Sequence, residues 1–294
     1  MSEPRVSVLV PTFEYARFLP RVLDSVLAQG YQDWELVVSD NASTDETPEI
    51  VAAYAAREPR LRSYRNAENL GLFGNFSRCL ELARGEYVKF LCADDWLDPR
   101  FLGDAVAVMD ASPGAALLTC AGWLVDEDGA VWGYATAGLG EHDVVPAHRA
   151  LRAQADFLNV IGMPSNTLMR RADVEAVGGF DADYAPASDL HLWLKLLARG
   201  DLGWLPQPRC YLRIHPSKSH EYGPDPEESA FRIWEDLTTP VGPITPALRD
   251  RALAAEGERH LMYAAAHAGA GRPGRARELA ATAARHVGWP RLLG

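Results

Sequence analysis

EYVKFLCADDWLDP, residues 86–99, joins an apolar run to a knot of acids. Residues 87–91 are mostly apolar, the run stops at the adjacent carboxylates Asp94 and Asp95, and Asp98-Pro99 closes it. That is the pattern of a central strand ending in a loop. Paired acids at the carboxyl end of a buried strand suit a divalent cation held against a phosphorylated ligand, because Mg2+ and Mn2+ take hard oxygen ligands and share them with phosphate. The same residues also read as a polar turn capping the next helix, since Asp favours turns whatever its function. Lys89, inside the strand, needs a partner or a phosphate if buried; an outward-facing lysine stem is the plainer reading.

Working toward the amino terminus, strand and helix patterns alternate. Residues 6–10 form a β-branched run closed by Pro11, and Phe18, Leu19, Val22, Leu23, Val26 and Leu27 then recur at helical spacing. Residues 34–39 read as a second strand. Ser43 and Glu46 have the spacing of a capping box, which predicts a helix from about Thr44 with Ile50, Val51 and Tyr54 turned inward. Residues 61–64 give a third, weaker strand, and Phe73, Phe76, Leu80 and Ala83 mark a helix stopped by Gly85. The order is βαβαβαβ, which right-handed crossovers build into a parallel sheet with ligand sites beyond the carboxyl ends of its strands.

Three segments should therefore meet at one edge: residues 11–15, 40–45 and 94–96. DNASTD, residues 40–45, offers carboxylate, amide and hydroxyl groups at a helix start, where a base, ribose or phosphate can bind. A capped helix accounts for the same residues. Neither G-x-G-x-x-G nor a Walker A sequence occurs, so a dinucleotide fold and a P-loop enzyme lack support.

Composition sets the outer bounds. A chain of 294 residues with 48% apolar content can bury a large core, with one large domain plus an extension or two modest domains. The net charge of −11 and the absence of a Lys/Arg run argue against nucleic acid or anionic lipid as partner. Cys79, Cys92, Cys120 and Cys210 sit among apolar neighbours without C-x-x-C spacing and read as reduced core residues, not a disulfide framework or zinc site. No run is long enough to span a bilayer, residues 1–5 lack a signal peptide's apolar centre, and a cytoplasmic location is expected.

Toward the carboxyl terminus, residues 110–163 change to short strands and turns. Residues 117–125 and 130–134 look like a hairpin around DEDG, with Trp123 and Trp132 on its arms as ordinary packing or as a platform for a ligand, packing being the more common use. MPSNT, residues 163–167, reads as a polar loop before a strand. Leu190, Trp193, Leu194 and Leu197 form a helical face that puts Ser188 and Asp189 in the first turn, where either can act as N-cap; His191 falls on another face. Tyr211, Arg213 and His215 alternate on a short strand and should share a face, followed by a polar loop at 216–220 suited to closing over a ligand. Thr245-Pro246 starts an Ala-rich helix over 248–268 ended by Gly269 and Gly271, and a second helix runs from about 274 to 286. This pair should pack on the preceding α/β domain or on a second copy as a homo-oligomer.

Taken in order, VSVLVPTFEYARFL (6–19), SDNASTDET (39–47), NLGLFGNF (69–76) and GEYVKFLCADDWLDP (85–99) resemble the nucleotide-binding half of family 2 glycosyltransferases. GGFDADY (178–184), SDLHLWLKL (188–196) and YLRIHPSKS (211–219) resemble that family's acceptor side, so the likeness covers about residues 6–219. The resemblance implies an α/β GT-A fold, a mostly parallel central sheet flanked by helices, in residues 1–222, with a nucleotide-sugar half (1–110), an acceptor half (111–222) and a helical extension (223–294). It implies an inverting, hexosyltransferase-type enzyme that uses Mn2+ or Mg2+. A UDP- or dTDP-linked sugar is the donor, and a saccharide, lipid-linked or small-molecule acceptor offers a hydroxyl or amine.

By the same resemblance Pro11, Thr12, Glu14 and Asp40 line the nucleotide pocket, and Asn69, Gly71 and Asn75 run beside it. Asp94, Asp95 and His215 hold the metal, Asp94 and Arg213 face the diphosphate, and Asp189 is the general base. Two positions depart from the family pattern: Glu14 stands where Asn is usual, and Cys92 replaces the first acid of the metal motif. A nucleotide-sugar sensor without transfer activity and a sugar nucleotidyltransferase are the alternatives; the latter would need a Gly-rich, basic loop after the first strand, which PTFEYARF is not.

Overall fold

The computed structural model describes residues 3–140, 143–157, 160–214, 226–237 and 244–287. Its first half alternates β1 (Val6–Thr12), α1 (Leu19–Leu27), β2 (Trp34–Asp40), α2 (Thr47–Ala55), β3 (Leu61–Arg65), α3 (Leu72–Leu82) and β4 (Tyr87–Phe90). The four strands lie in the order β3-β2-β1-β4, every pair parallel. Every residue of β1 and β2 is buried, as befits strands covered on both faces. Period-two alternation divides them between two apolar clusters. Val8, Val10, Leu36 and Val38 pack with α1, whereas Leu9, Val37 and Phe90 pack with Phe73 and Phe76 of α3.

The second half comprises β5 (Trp96–Leu97), α4 (Phe101–Ala111), β6 (Ala115–Val125), β7 (Val131–Ala135), β8 (Val144–Val145), α5 (Ala147–Phe157), β9 (Thr167–Arg170), α6 (Arg171–Ala176), α7 (Ser188–Leu197) and β10 (Asp201–Arg213). The sheet continues past β4 as β9-β6-β10-β5, with β9 antiparallel to both neighbours and β10 parallel to β6. Parallel pairing thus holds across the amino-terminal half of the sheet, and the rest of the sheet is mixed. The expected hairpin is present as β6 and β7.

Three helices close the chain: α8 (Pro226–Asp236), α9 (Pro246–Gly269) and α10 (Pro273–Val287). α9 starts as the sequence demands, with Thr245 accepting from the Leu248 N–H at 3.2 Å and Pro246 in the first turn. Phe231, Ile233 and Trp234 of α8 and Ala252 and Leu253 of α9 belong to the same apolar cluster as Phe90 and Trp193, so the helical tail continues the core of the sheet domain. Among the described residues no helix is long and apolar enough to cross a membrane.

Several local expectations give way. α2 begins at Thr47 with Glu46 as N-cap and no side-chain cap, three residues later than the Ser43/Glu46 spacing predicts. Ser43 Oγ instead accepts from the Glu14 N–H at 2.9 Å, and Asp45 accepts from Ala16 at 3.0 Å as well as from Thr47 at the helix start, so these polar groups tie the 14–16 loop to the 43–47 segment. Residues 110–163 contain α5 as well as strands; its buried stripe is Ala150, Leu151, Gln154 and Ala155, too small and polar to announce a helix. α4 is the next helix that the acid turn is read as capping, and α8 falls within the expected helical extension, although neither has bounds from the sequence.

Candidate active site

The carboxyl ends of β1 and β2, the start of α3, the turn after β4 and the start of α7 surround a cleft of about 190 Å³. Of the residues singled out in the sequence, Pro11, Thr12, Asn69, Gly71, Asn75, Asp94 and Asp189 line it. Glu14, Asp40, Asp95 and Arg213 do not, and His215 lies outside the described residues.

Asparagines build the wall of the cleft between β2 and α3. Asn41 Nδ2 donates to Asn69 Oδ1 at 2.7 Å and to the Gly71 carbonyl at 3.2 Å, while its Oδ1 accepts from Leu70 N and Asn66 Nδ2, both at 2.9 Å. Asn75 accepts from Ser39 Oγ at 2.7 Å and donates to the Ser39 carbonyl at 3.0 Å, which ties α3 to β2. Gly71, at φ 75°, turns the chain into α3 in a conformation that other residues rarely adopt. Sequence reasoning held Asn41 only as the amide of the 40–45 segment and missed Asn66; the density of Asn after the second and third strands was the available signal.

Asp40 is 3% exposed, pairs in register with Thr12, accepts from Ser43 N at 3.0 Å and lies 3.6 Å from Arg65 Nη1. Two buried oxygens here, Thr12 Oγ1 and Asp40 Oδ2, have no hydrogen-bond partner among the described residues. Glu14 sits at φ 57°, and its carboxylate accepts from the Thr44 amide at 2.7 Å and hydroxyl at 3.0 Å. It clasps the 40–45 loop from outside the cleft.

The acid turn is compact. Asp95 N donates to the Cys92 carbonyl at 3.1 Å, closing residues 92–95 into a turn. Cys92 Sγ and carboxylate oxygens of Asp94 and Asp95 consequently lie within 4.8 Å of one another, a set able to hold a metal ion. Cys92 is partly exposed and lines the cleft, unlike buried Cys79, Cys120 and Cys210, so it sits at the edge of the apolar core it packs against and not inside it.

Arg213 stands behind this turn. Its backbone N–H donates to Asp95 Oδ1 at 2.8 Å, and its guanidinium donates to the Asp94 carbonyl at 3.0 Å and to the carbonyls of Asp126 and Glu127. The guanidinium also lies 4.5 Å from the Phe18 ring and 5.2 Å from Trp96, at 3% residue exposure. It braces the acids from beneath, not from the cleft.

Lys89 is fully buried, which corrects the outward-facing reading. Its ammonium donates to the carbonyls of Phe90 at 2.8 Å and Ser165 at 2.5 Å, with Pro164 at 3.4 Å, and sits 4.6 Å from the Phe101 ring. Burial pulls its pKa down to about 8. Lys89 thereby clamps β4 to the segment whose Met163 and Pro164 line the cleft. Trp132 is 61% exposed, so ordinary packing does not account for it.

Asp189 lies in the first turn of α7, whose N-cap is Ala187 and not Ser188 or Asp189. Ser188 Oγ accepts from Asp181 N at 2.8 Å, and Asp189 Oδ1 accepts from Leu190 N at 2.7 Å. Burial raises the Asp189 pKa to about 6 against the opposing pull of backbone N–H groups. His191 packs 4.0 Å from the Tyr184 ring, and burial lowers its pKa to about 4, so it is neutral and outside the cleft.

Residues 7–190 match the family model described as Glycosyl transferase family 2. The uncharacterized protein y4gI of Sinorhizobium fredii is 31% identical over 198 residues, 67% of this chain and 20% of that protein. An uncharacterized glycosyltransferase of Haemophilus influenzae is 25% identical over 242 residues, 80% of this chain and 74% of the relative. The chain spans 20%, 40% and 37% of the length of the first three curated relatives it matches. Among solved structures, S. aureus TarS 1-349 in complex with UDP-GlcNAc superposes with a TM-score of 0.70 at 22% identity, covering 88% of this chain and 73% of that one. Mannosyltransferase PcManGT from Pyrobaculum calidifontis, in complex with GDP-Man and Mn2+, gives 0.61 at 24% identity, covering 99% and 83%. These likenesses are of fold.

Proposed function

The chain belongs to glycosyl transferase family 2 and has the GT-A fold, and from that premise we propose that it transfers a sugar, with inversion, from a UDP- or dTDP-linked donor to an acceptor hydroxyl or amine. The observation that carries this reading is the convergence of Thr12, Asn69, Gly71, Asp94 and Asp189 on one cleft. UDP-GlcNAc in TarS supports the donor class, and Mn2+ in PcManGT supports a divalent cation.

The nucleotide lies along Pro11, Thr12, Asn69, Gly71 and Asn75. Thr12 Oγ1, buried without a protein hydrogen bond, and Asp40 Oδ2, which has only the Arg65 guanidinium at 3.6 Å, are groups that a base or ribose hydroxyl satisfies, since a buried polar atom left without a hydrogen bond carries a desolvation penalty of roughly 1–3 kcal/mol. Glu14 and Arg213 act through the loops they brace. Asp94 and Asp95 offer hard oxygens within reach of one ion, the donor type that Mn2+ and Mg2+ take, and His215 is a further candidate ligand. A bound divalent cation supplies positive charge beside the donor diphosphate and its departing oxygen.

Asp189 accepts the proton of the acceptor as its oxygen or nitrogen attacks the anomeric carbon opposite the leaving nucleoside diphosphate, which inverts that centre. A pKa of about 6 keeps the carboxylate ionised at neutral pH yet more basic than an ordinary aspartate. We assign residues 1–110 to the donor, 111–222 to the acceptor and 223–294 to a helical extension. The test begins with a thermal-shift screen of nucleoside diphosphates and their sugars with and without Mn2+, in which a ligand of the native state raises the midpoint. Asp189→Asn should then bind donor as the parent does while turnover falls about 100-fold or more; undiminished turnover removes Asp189 from the mechanism. The sensor reading, motivated by Cys92 in place of an acid, gains if donor binds without Mn2+ and is neither transferred nor slowly hydrolysed.

A further inference from the structure

We propose that Cys92 is itself a ligand of the cation, and that the site therefore selects ions of the Co2+ and Zn2+ kind over Mg2+. The inference rests on the cation-binding part of the function proposed above and concerns the donor atom that sets its selectivity. Three observations carry it. The hydrogen bond from Asp95 N to the Cys92 carbonyl folds the turn so that the thiol and both carboxylates converge within 4.8 Å. The Cys92 amide is fixed by Ser165 Oγ at 3.0 Å, and the thiol borders the same cleft as Asp94. The other three cysteines are buried and line no part of that cleft.

Donor atoms bound to one ion at about 2.0–2.3 Å sit about 3–4 Å apart, so rotation of these side chains closes the set without moving the backbone. Sulfur changes the preference of such a set. Mg2+ demands oxygen ligands in near-ideal octahedral geometry, whereas ions further along the first-row series accept mixed sulfur and oxygen donors and bind them more tightly. Binding replaces the thiol proton by the metal, and the proton passes to solvent. Asp94 and Asp95 keep the site competent for Mn2+, and the thiol adds affinity for the softer ion.

Titration of the full-length protein with Co2+, followed by absorbance, reads the ligand set directly and needs no turnover. The parent should show a near-ultraviolet sulfur-to-cobalt charge-transfer band together with visible d–d bands. Cys92→Ser should lose the charge-transfer band and bind Co2+ about tenfold or more weakly, with Mg2+ affinity unchanged. Cys92→Asp should bind Mg2+ and Mn2+ more tightly and show no charge transfer. Thermal melts without metal establish that each variant is folded. Co2+ bound by the parent with d–d bands alone overturns the proposal for Cys92 and leaves the acid pair intact as the cation site. Absence of Co2+ binding even with UDP present overturns both.

Discussion

A carboxylate that holds its proton to about pH 6 leaves a mark on rate and on stability. The acid limb of kcat/KM should rise through about pH 6 and flatten above it, and that limb should vanish from the residual activity of Asp189→Asn. For stability the sign follows from the raised value. Between the ordinary 3.8 and about 6 the native state binds more protons than the unfolded chain, so this group makes the protein less stable as pH rises through that window. Asp189→Asn should therefore be more stable than the parent at pH 7.5 by roughly 1–3 kcal/mol, and equal to it below about pH 4. Urea titrations at the two pH values measure it. The place of Asp94 at the cleft was legible because acids at the end of an apolar run stand out, whereas Asp189 was picked out by the resemblance of its segment to a family motif, its helical pattern alone reading as an N-cap. Lys89 was not legible, since whether a strand residue faces water or core depends on what covers it, here Phe101 of α4 and the carbonyls of residues 164 and 165.

Elements differ in how far their sequences announce them. β1, β2 and β4 are apolar runs ended by Pro, Asp or paired acids, and they were readable one at a time. α2 was misplaced because Ser43, half of the apparent capping box, accepts from the Glu14 N–H instead, while Asp45 divides its carboxylate between Ala16 and the first residue of the helix, Thr47. A nonlocal partner of this kind carries no local signature. The same holds for the clamp between β4 and the cleft-lining 163–166 segment, which rests on one buried ammonium. Lys89→Ala leaves carbonyls of Phe90 and Ser165 unanswered and opens a cavity, a loss on the order of 3 kcal/mol. Chemical denaturation should register that loss, and hydrogen exchange should show the 163–166 segment opening more readily. A variant as stable as the parent, with unchanged exchange there, removes the clamp.

For the whole molecule, β1, β2 and β3 are neighbours joined by crossovers through α1 and α2, whereas the chain passes from β3 across both of them to lay β4 on the far side of β1. The placement of β9 between β4 and β6, and of β10 beside β6, joins residues far apart in the chain, and no periodicity encodes such a choice. The tail was legible as two helices, yet its share in the core was not, because Ala-rich faces fit many partners. Ending the chain after Leu237 should expose Phe231 and Trp234, now buried beside α9 and α10. The shortened protein should bind a hydrophobic dye and aggregate on gel filtration; a monodisperse, dye-free fragment would mean the tail is dispensable.

One apolar cluster runs from the tail through Trp193 on the helix of Asp189 to Phe90 on the strand that leads to the acid turn. Loosening any part of it loosens the rest. Heating should accordingly give a single endotherm whose calorimetric and van't Hoff enthalpies agree, and a donor that grips only the amino-terminal half should carry the tail's melting upward with its own.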